Sequence, residues 1–140
     1  MAGKGGFNLT HSEPITQLIA RYIPVHFLEK ALLDFDNNNF RKWINSIGIP
    51  TYIGSSKRVY PKIGIKPIVV LHTILGLLTK QDVAVQYQYT WTGWSGNDNL
   101  VFNTDTEINS DYIIFSMGGG SWKVTGSDGS CLDLFARESI

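Results

Sequence analysis

The sequence predicts a mixed α and β fold of the α+β kind, in which a helical block precedes a small set of antiparallel strands. Three observations carry that expectation. Four segments repeat apolar residues at the spacing of one helix face, one segment alternates apolar and polar residues with a period of two, and an apolar run ends abruptly in three glycines.

The helical stripes are Ile15, Leu18, Ile19 and Tyr22; Leu28, Ala31, Leu32 and Phe35; Phe40, Trp43, Ile44 and Ile47; and Leu71, Ile74, Leu75 and Leu78. Ser12 and Asp36 have the short polar side chains that cap helix N-termini, Pro14 and Pro67 stand where a first turn accepts proline, and Gly48 is a natural stop for the third helix. An irregular stretch with short strands is expected between the third and fourth helices. Beyond the fourth, Val83, Val85, Tyr87, Tyr89 and Trp91 alternate with polar or small neighbours and read as a strand. "NLVFNTDTEI" reads as two short strands around a turn at Asn103 to Asp105. The unbroken apolar run in "DYIIFSM" predicts a strand buried on both faces, turning at Gly118, Gly119 and Gly120, and a short helix capped by Ser127 or Asp128 closes the chain. A buried strand that ends in a glycine turn is where α/β proteins place a ligand. A doubly wound sheet needs several such strands, and this sequence supplies one.

Composition narrows the function classes. At 140 residues the chain suffices for one domain or one piece of a larger enzyme, and residues 1–140 are read as a single unit. A hydrophobic fraction of 43% with only 17% charged residues describes a chain with a core to bury rather than a disordered one. Twelve basic and twelve acidic residues leave no surplus to collect nucleic-acid phosphates or anionic lipid, so neither partner is expected. No apolar stretch approaches the roughly 18 residues of a membrane span, and "MAGKGG" is no secretory leader. With a single cysteine, Cys131, there is no internal disulfide, and the expected location is the cytoplasm.

The familiar catalytic motifs are absent. "AGKGG" lacks the spacing of a P-loop, no GxGxxG or GxSxG occurs, and the three histidines, His11, His26 and His72, show no HExxH spacing. They read as packing or surface residues, no metal site is expected, and no acid, base or nucleophile is assigned.

Three stretches remain: "AGKGGFNLTHSEP", "IGIPTYIGSSKRVYPK" and "MGGGSWKVTGSDG". In this order, and over essentially the whole chain, they resemble the FAD-binding oxidoreductases of the aminoacetone oxidase-like flavoprotein family. The resemblance implies that Gly3, Lys4, Gly5, Gly6, Asn8 and Thr10 lie against the FAD cofactor. Arg58 would belong to a Gly-Arg-Val-Phe-Pro-like loop, Val85 to the strand whose backbone holds the adenine, and Gly118, Gly119 and Gly120 to the end of the second FAD-contacting strand. The residue types suit these roles in part. Lys4 offers charge to an anionic group, Asn8 and Thr10 offer hydrogen bonds beside permissive glycines, and a glycine turn lets the backbone approach a bulky cofactor. The alternatives are a solvated chain end for the first stretch, an exposed arginine on an edge strand for Arg58, and a plain turn for the glycines. Trp122 would shape the floor of the site. Lys57 and Lys123 depart from the family, which favours glycine before Arg-Val and proline after Ser-Trp.

The resemblance further implies hydride transfer from a small amine- or carbonyl-type substrate to FAD. The chain would be an internal segment of a Rossmann-like FAD-binding domain, without the amino-terminal GxGxxG strand and without a downstream second domain. Two other readings stand beside it: a non-catalytic folded segment that does not retain FAD, and a small binding module that uses Trp91 and Trp94. An unpaired edge on "DYIIFSM" would favour self-association.

Overall fold

A computed structural model describes residues 7–96, 99–118, 120 and 128–137. The chain divides into two compact units, Met1–Ala84 and Val85–Ile140.

All four helical stripes fold as helices. In the first unit they are α1 (Ile15–Ile19), α2 (Glu29–Asp34), α3 (Asn37–Ser46) and α4 (Pro67–Lys80), with a 3-10 turn at Val25–Phe27 before α2. Asp36 caps α3 as its side chain predicts, accepting the Asn39 N–H at 2.7 Å. Gly48 ends the helix at φ +91°, so that Ile49 N–H reaches the Ile44 carbonyl at 3.2 Å and Gly48 N–H reaches that of Asn45 at 3.1 Å. This double bond pattern brings Ile44 and Ile49 together, and both are fully buried with Val70 of α4. Phe7, Leu9, Phe40, Trp43, Ile47, Ile65 and Ile74 complete that core. Ser12 does not cap α1. The helix begins after Pro14, and the Ser12 hydroxyl donates instead to the Lys57 carbonyl at 2.9 Å.

Three short strands, β1 (Thr10–His11), β2 (Thr51–Ile53) and β3 (Arg58–Pro61), form an antiparallel sheet in the order β1-β3-β2. The β2–β3 connection is the loop Gly54 to Lys57, with Lys57 left-handed at φ +59°. Gly54 N–H donates to the Arg58 carbonyl at 2.8 Å and closes it.

In the second unit β4 (Trp91–Trp94), β5 (Leu100–Phe102) and β6 (Glu107–Ile108) form an antiparallel meander, followed by helix α5 (Cys131–Arg137). The turn expected at Asn103 to Asp105 repeats the loop of the first unit, with Asp105 at φ +53°. A bulge between Trp91 and Gly93 turns Trp91 edge-on to Trp94, with ring centroids 4.5 Å apart, and Phe115 and Phe135 pack on the same pair.

Two strand expectations are corrected. The alternating segment pairs only from Trp91 onward: Asp82 and Gln88 adopt left-handed φ values of +57° and +63°, and the Asn103 amide occupies the backbone of Thr90 and Gln88. Val85 therefore lies outside any strand and is exposed. "DYIIFSM" is also no strand, because no neighbour hydrogen-bonds alongside it among the described residues. Its side chains differ in exposure: Tyr112 and Ile114 are 90% and 89% exposed, while Phe115 packs on the tryptophans. The second unit thus shelters one side of a segment expected to be buried on two. Among the described residues every sheet is antiparallel.

Candidate functional site

In the first unit, the pairing of β1 with β3 joins the Asn8–Thr10 segment to the loop that carries Arg58. Thr10 stands opposite Val59 and His11 opposite Arg58, and the Leu9 N–H donates to the Val59 carbonyl at 2.8 Å. Because side chains alternate across a strand, this register sets Thr10 on the face of buried Val59 and Arg58 on the face of His11. Arg58 is exposed as expected, but on the central strand rather than an edge. Its face also carries Tyr60, whose ring stacks on Tyr52 with centroids 5.7 Å apart and lies over Gly54. A Cβ at Gly54 would sit 2.9 Å from the Tyr60 ring, so any larger residue there must push that ring aside.

Behind β1 lies a buried polar group that the sequence does not announce. Glu13 is only 4% exposed, and its carboxylate accepts from Arg21 Nη2 at 2.6 Å and Nε at 3.1 Å. The Glu13 N–H lies 3.3 Å from His11 Nδ1, which is also 3.4 Å from Glu13 Oε1. One nitrogen cannot serve both: neutral, it accepts the amide proton; protonated, it faces the carboxylate as a donor. Asn37, the first residue of α3, donates Nδ2 protons to the carbonyls of His11 at 2.6 Å and Glu13 at 2.9 Å, while its buried Oδ1 has no partner. These contacts join residues 24 to 26 positions apart, and only the Asp36 cap that starts α3 hints at them in sequence.

In the second unit a cleft of about 250 Å³ is lined by Tyr89, Trp91, Met117, Gly118, Gly129 and Ser130 among others. Gly118 and Gly129 turn there at φ +72° and +80°. A Cβ on Gly120 would meet the Asp128 and Gly129 backbone at 3.4 Å, so the chain passes itself closely at that point. Asp128 Oδ1 accepts from the Ser130 N–H and hydroxyl, an Asx turn just ahead of α5. The cleft is smaller than the ~300–1,000 Å³ of whole-ligand pockets and suits one part of a ligand. Gly3, Lys4, Gly5, Gly6, Gly119, Trp122, Lys123 and Ser127 lie outside the described residues. Among the described residues no group of three or more His, Cys, Asp or Glu side chains could hold a metal, and no helix is long and apolar enough to cross a membrane.

Against protein-family models, residues 1–140 match the HI0933-like protein Rossmann domain. The chain belongs to the HI0933-like Rossmann family. That family binds FAD, which agrees with the resemblance read from the three stretches. A search of curated proteins returns no match. The donor chemistry suits such a cofactor without gathering it at one point: Thr10 offers a hydroxyl and Arg58 a guanidinium on opposite faces of one ladder, with the Asn8 amide just before it. In the second unit, Gly118 and Gly129 line the cleft beside Tyr89 and Trp91.

Proposed function

We propose that this chain forms part of an FAD-dependent oxidoreductase of the aminoacetone oxidase-like type, oxidising a small amine- or carbonyl-type substrate. The observation that carries this reading is the full-length family match, supported by the β1–β3 pairing that joins the Asn8–Thr10 segment to the Arg58 loop. When bound, FAD supplies the hydride acceptor, while the protein binds, orients and tunes it.

In this reading Asn8 and Thr10 hydrogen-bond the cofactor, and Arg58 offers its fixed positive charge to an anionic group of cofactor or substrate. Lys4 adds charge and Gly3, Gly5 and Gly6 permit close approach, whereas Val85, exposed in an irregular segment, lacks the strand on which its adenine role depends. Gly118, Gly119 and Gly120 form the turn against which the cofactor lies. No side chain is required as acid, base or nucleophile. Packing of Trp91 and Trp94 on each other, Phe115 and Phe135 disfavours a binding module built on those two rings.

The test is anaerobic mixing of the FAD-loaded chain with a panel of primary amines, hydroxy acids and aldehydes, following loss of oxidised-flavin absorbance. Bleaching by one chemical class supports the reading. A loaded chain that no member of the panel reduces, though dithionite does, refutes it.

A further inference from the structure

We propose that Asn37 is a positioning residue for the cofactor-contacting segment Asn8–Thr10, which it holds by the backbone just beyond Thr10. The inference rests on the FAD reading above. Asn37 is only 6% exposed, and its amide donates to two carbonyls of one passing segment, those of His11 at the end of β1 and Glu13 just beyond it. Its own Oδ1 is buried without a donor. An apolar side chain of similar size would leave the His11 and Glu13 carbonyls without these donors, so the clamp depends on the amide itself. The double donation needs the amide, since aspartate has the shape without the N–H groups.

The segment is fixed on each side of Thr10. Before it, the Leu9 N–H bonds the Val59 carbonyl; after it come the Asn37 clamp, the Ser12 N–H on the Lys57 carbonyl at 2.8 Å, and the Glu13–Arg21 pair. Asn37 itself is anchored by the capped start of α3. A β1 of only two residues has too little ladder to hold its own register, so the clamp supplies what the sheet lacks. A segment ordered in advance spares the cofactor the entropy of ordering it.

The test compares the full chain with Asn37→Ala, Asn37→Ser and Ile44→Val by FAD fluorescence titration, thermal unfolding and amide hydrogen exchange. Asn37→Ala is expected to raise the FAD dissociation constant about tenfold, equivalent to about 1.4 kcal/mol. Exchange should quicken at Thr10 to Ser12 while the α4 amides keep their protection. Asn37→Ser, which suits a helix N-terminus and covers the case where alanine does not fold, should weaken FAD in the same direction. Ile44→Val lowers the melting temperature through the core and should leave FAD affinity unchanged. Equal FAD affinity in wild type and both Asn37 variants overturns the inference alone, as does an Ile44→Val loss matching that of Asn37→Ala. A wild-type chain that binds no FAD overturns this inference and the FAD reading together.

Discussion

Lys57→Gly should make the first unit more stable. Lys57 is the last residue of the β2–β3 loop and has φ +59°, a conformation that costs a non-glycine residue about 1–2 kcal/mol. Its backbone contacts survive the change: its N–H donates to the Gly54 carbonyl at 3.0 Å, and its carbonyl accepts from the Ser12 N–H and hydroxyl. Its ammonium forms no ion pair among the described residues. Against the relieved strain stands the extra freedom of glycine in the unfolded chain, about 0.5–1 kcal/mol. The net gain is about 0.5–1 kcal/mol, which in a unit of this size raises the melting temperature by roughly 2–8 °C. Circular-dichroism melts of wild type, Lys57→Gly and Lys57→Ala decide it. Alanine keeps the left-handed penalty and should give no gain. A lower melting temperature for the glycine variant, or an equal gain for alanine, would refute the strain argument.

The same loop gives a change of opposite sign. Gly54→Ala drives a methyl to within 2.9 Å of the Tyr60 ring, disturbs the Tyr52–Tyr60 stack, and should cost about 1–3 kcal/mol in urea titrations. Asp36→Ala removes the cap on the Asn39 N–H and should cost about 1 kcal/mol by the same measurement. Trp91→Ala empties the centre of the aromatic cluster, whose partners lie 4.5 to 5.1 Å away; about 3 kcal/mol is expected, the low end for a half-buried ring, with loss of near-ultraviolet circular dichroism.

What could be read in the sequence followed from local chemistry. The four apolar stripes, the Asp36 cap, Pro67 in the first turn of α4 and the Gly48 stop each depend on neighbours within a few residues, and each holds. The turn at Asn103 to Asp105 holds for the same reason. Strands need partners, which no local pattern supplies. The alternation from Val83 to Tyr89 stays unpaired because Asp82 and Gln88 turn the backbone and the Asn103 amide takes the place of a neighbouring strand. "DYIIFSM" keeps its apolar run yet finds a covering layer on one side only. At the site, Asn8, Thr10 and Arg58 came from motif resemblance, and their placement on opposite faces of one ladder became visible only with the register. The Glu13, Arg21 and Asn37 group stayed hidden because its bonds span 8 to 26 residues and its side chains look like ordinary surface polar residues in sequence.

Whether this chain holds FAD is decided by a fluorescence titration of free FAD with the purified 140-residue chain. Saturable quenching of flavin fluorescence is expected, weakened when Arg58 is replaced by alanine. Flavin fluorescence that stays unchanged through a large excess of folded protein would contradict the FAD reading.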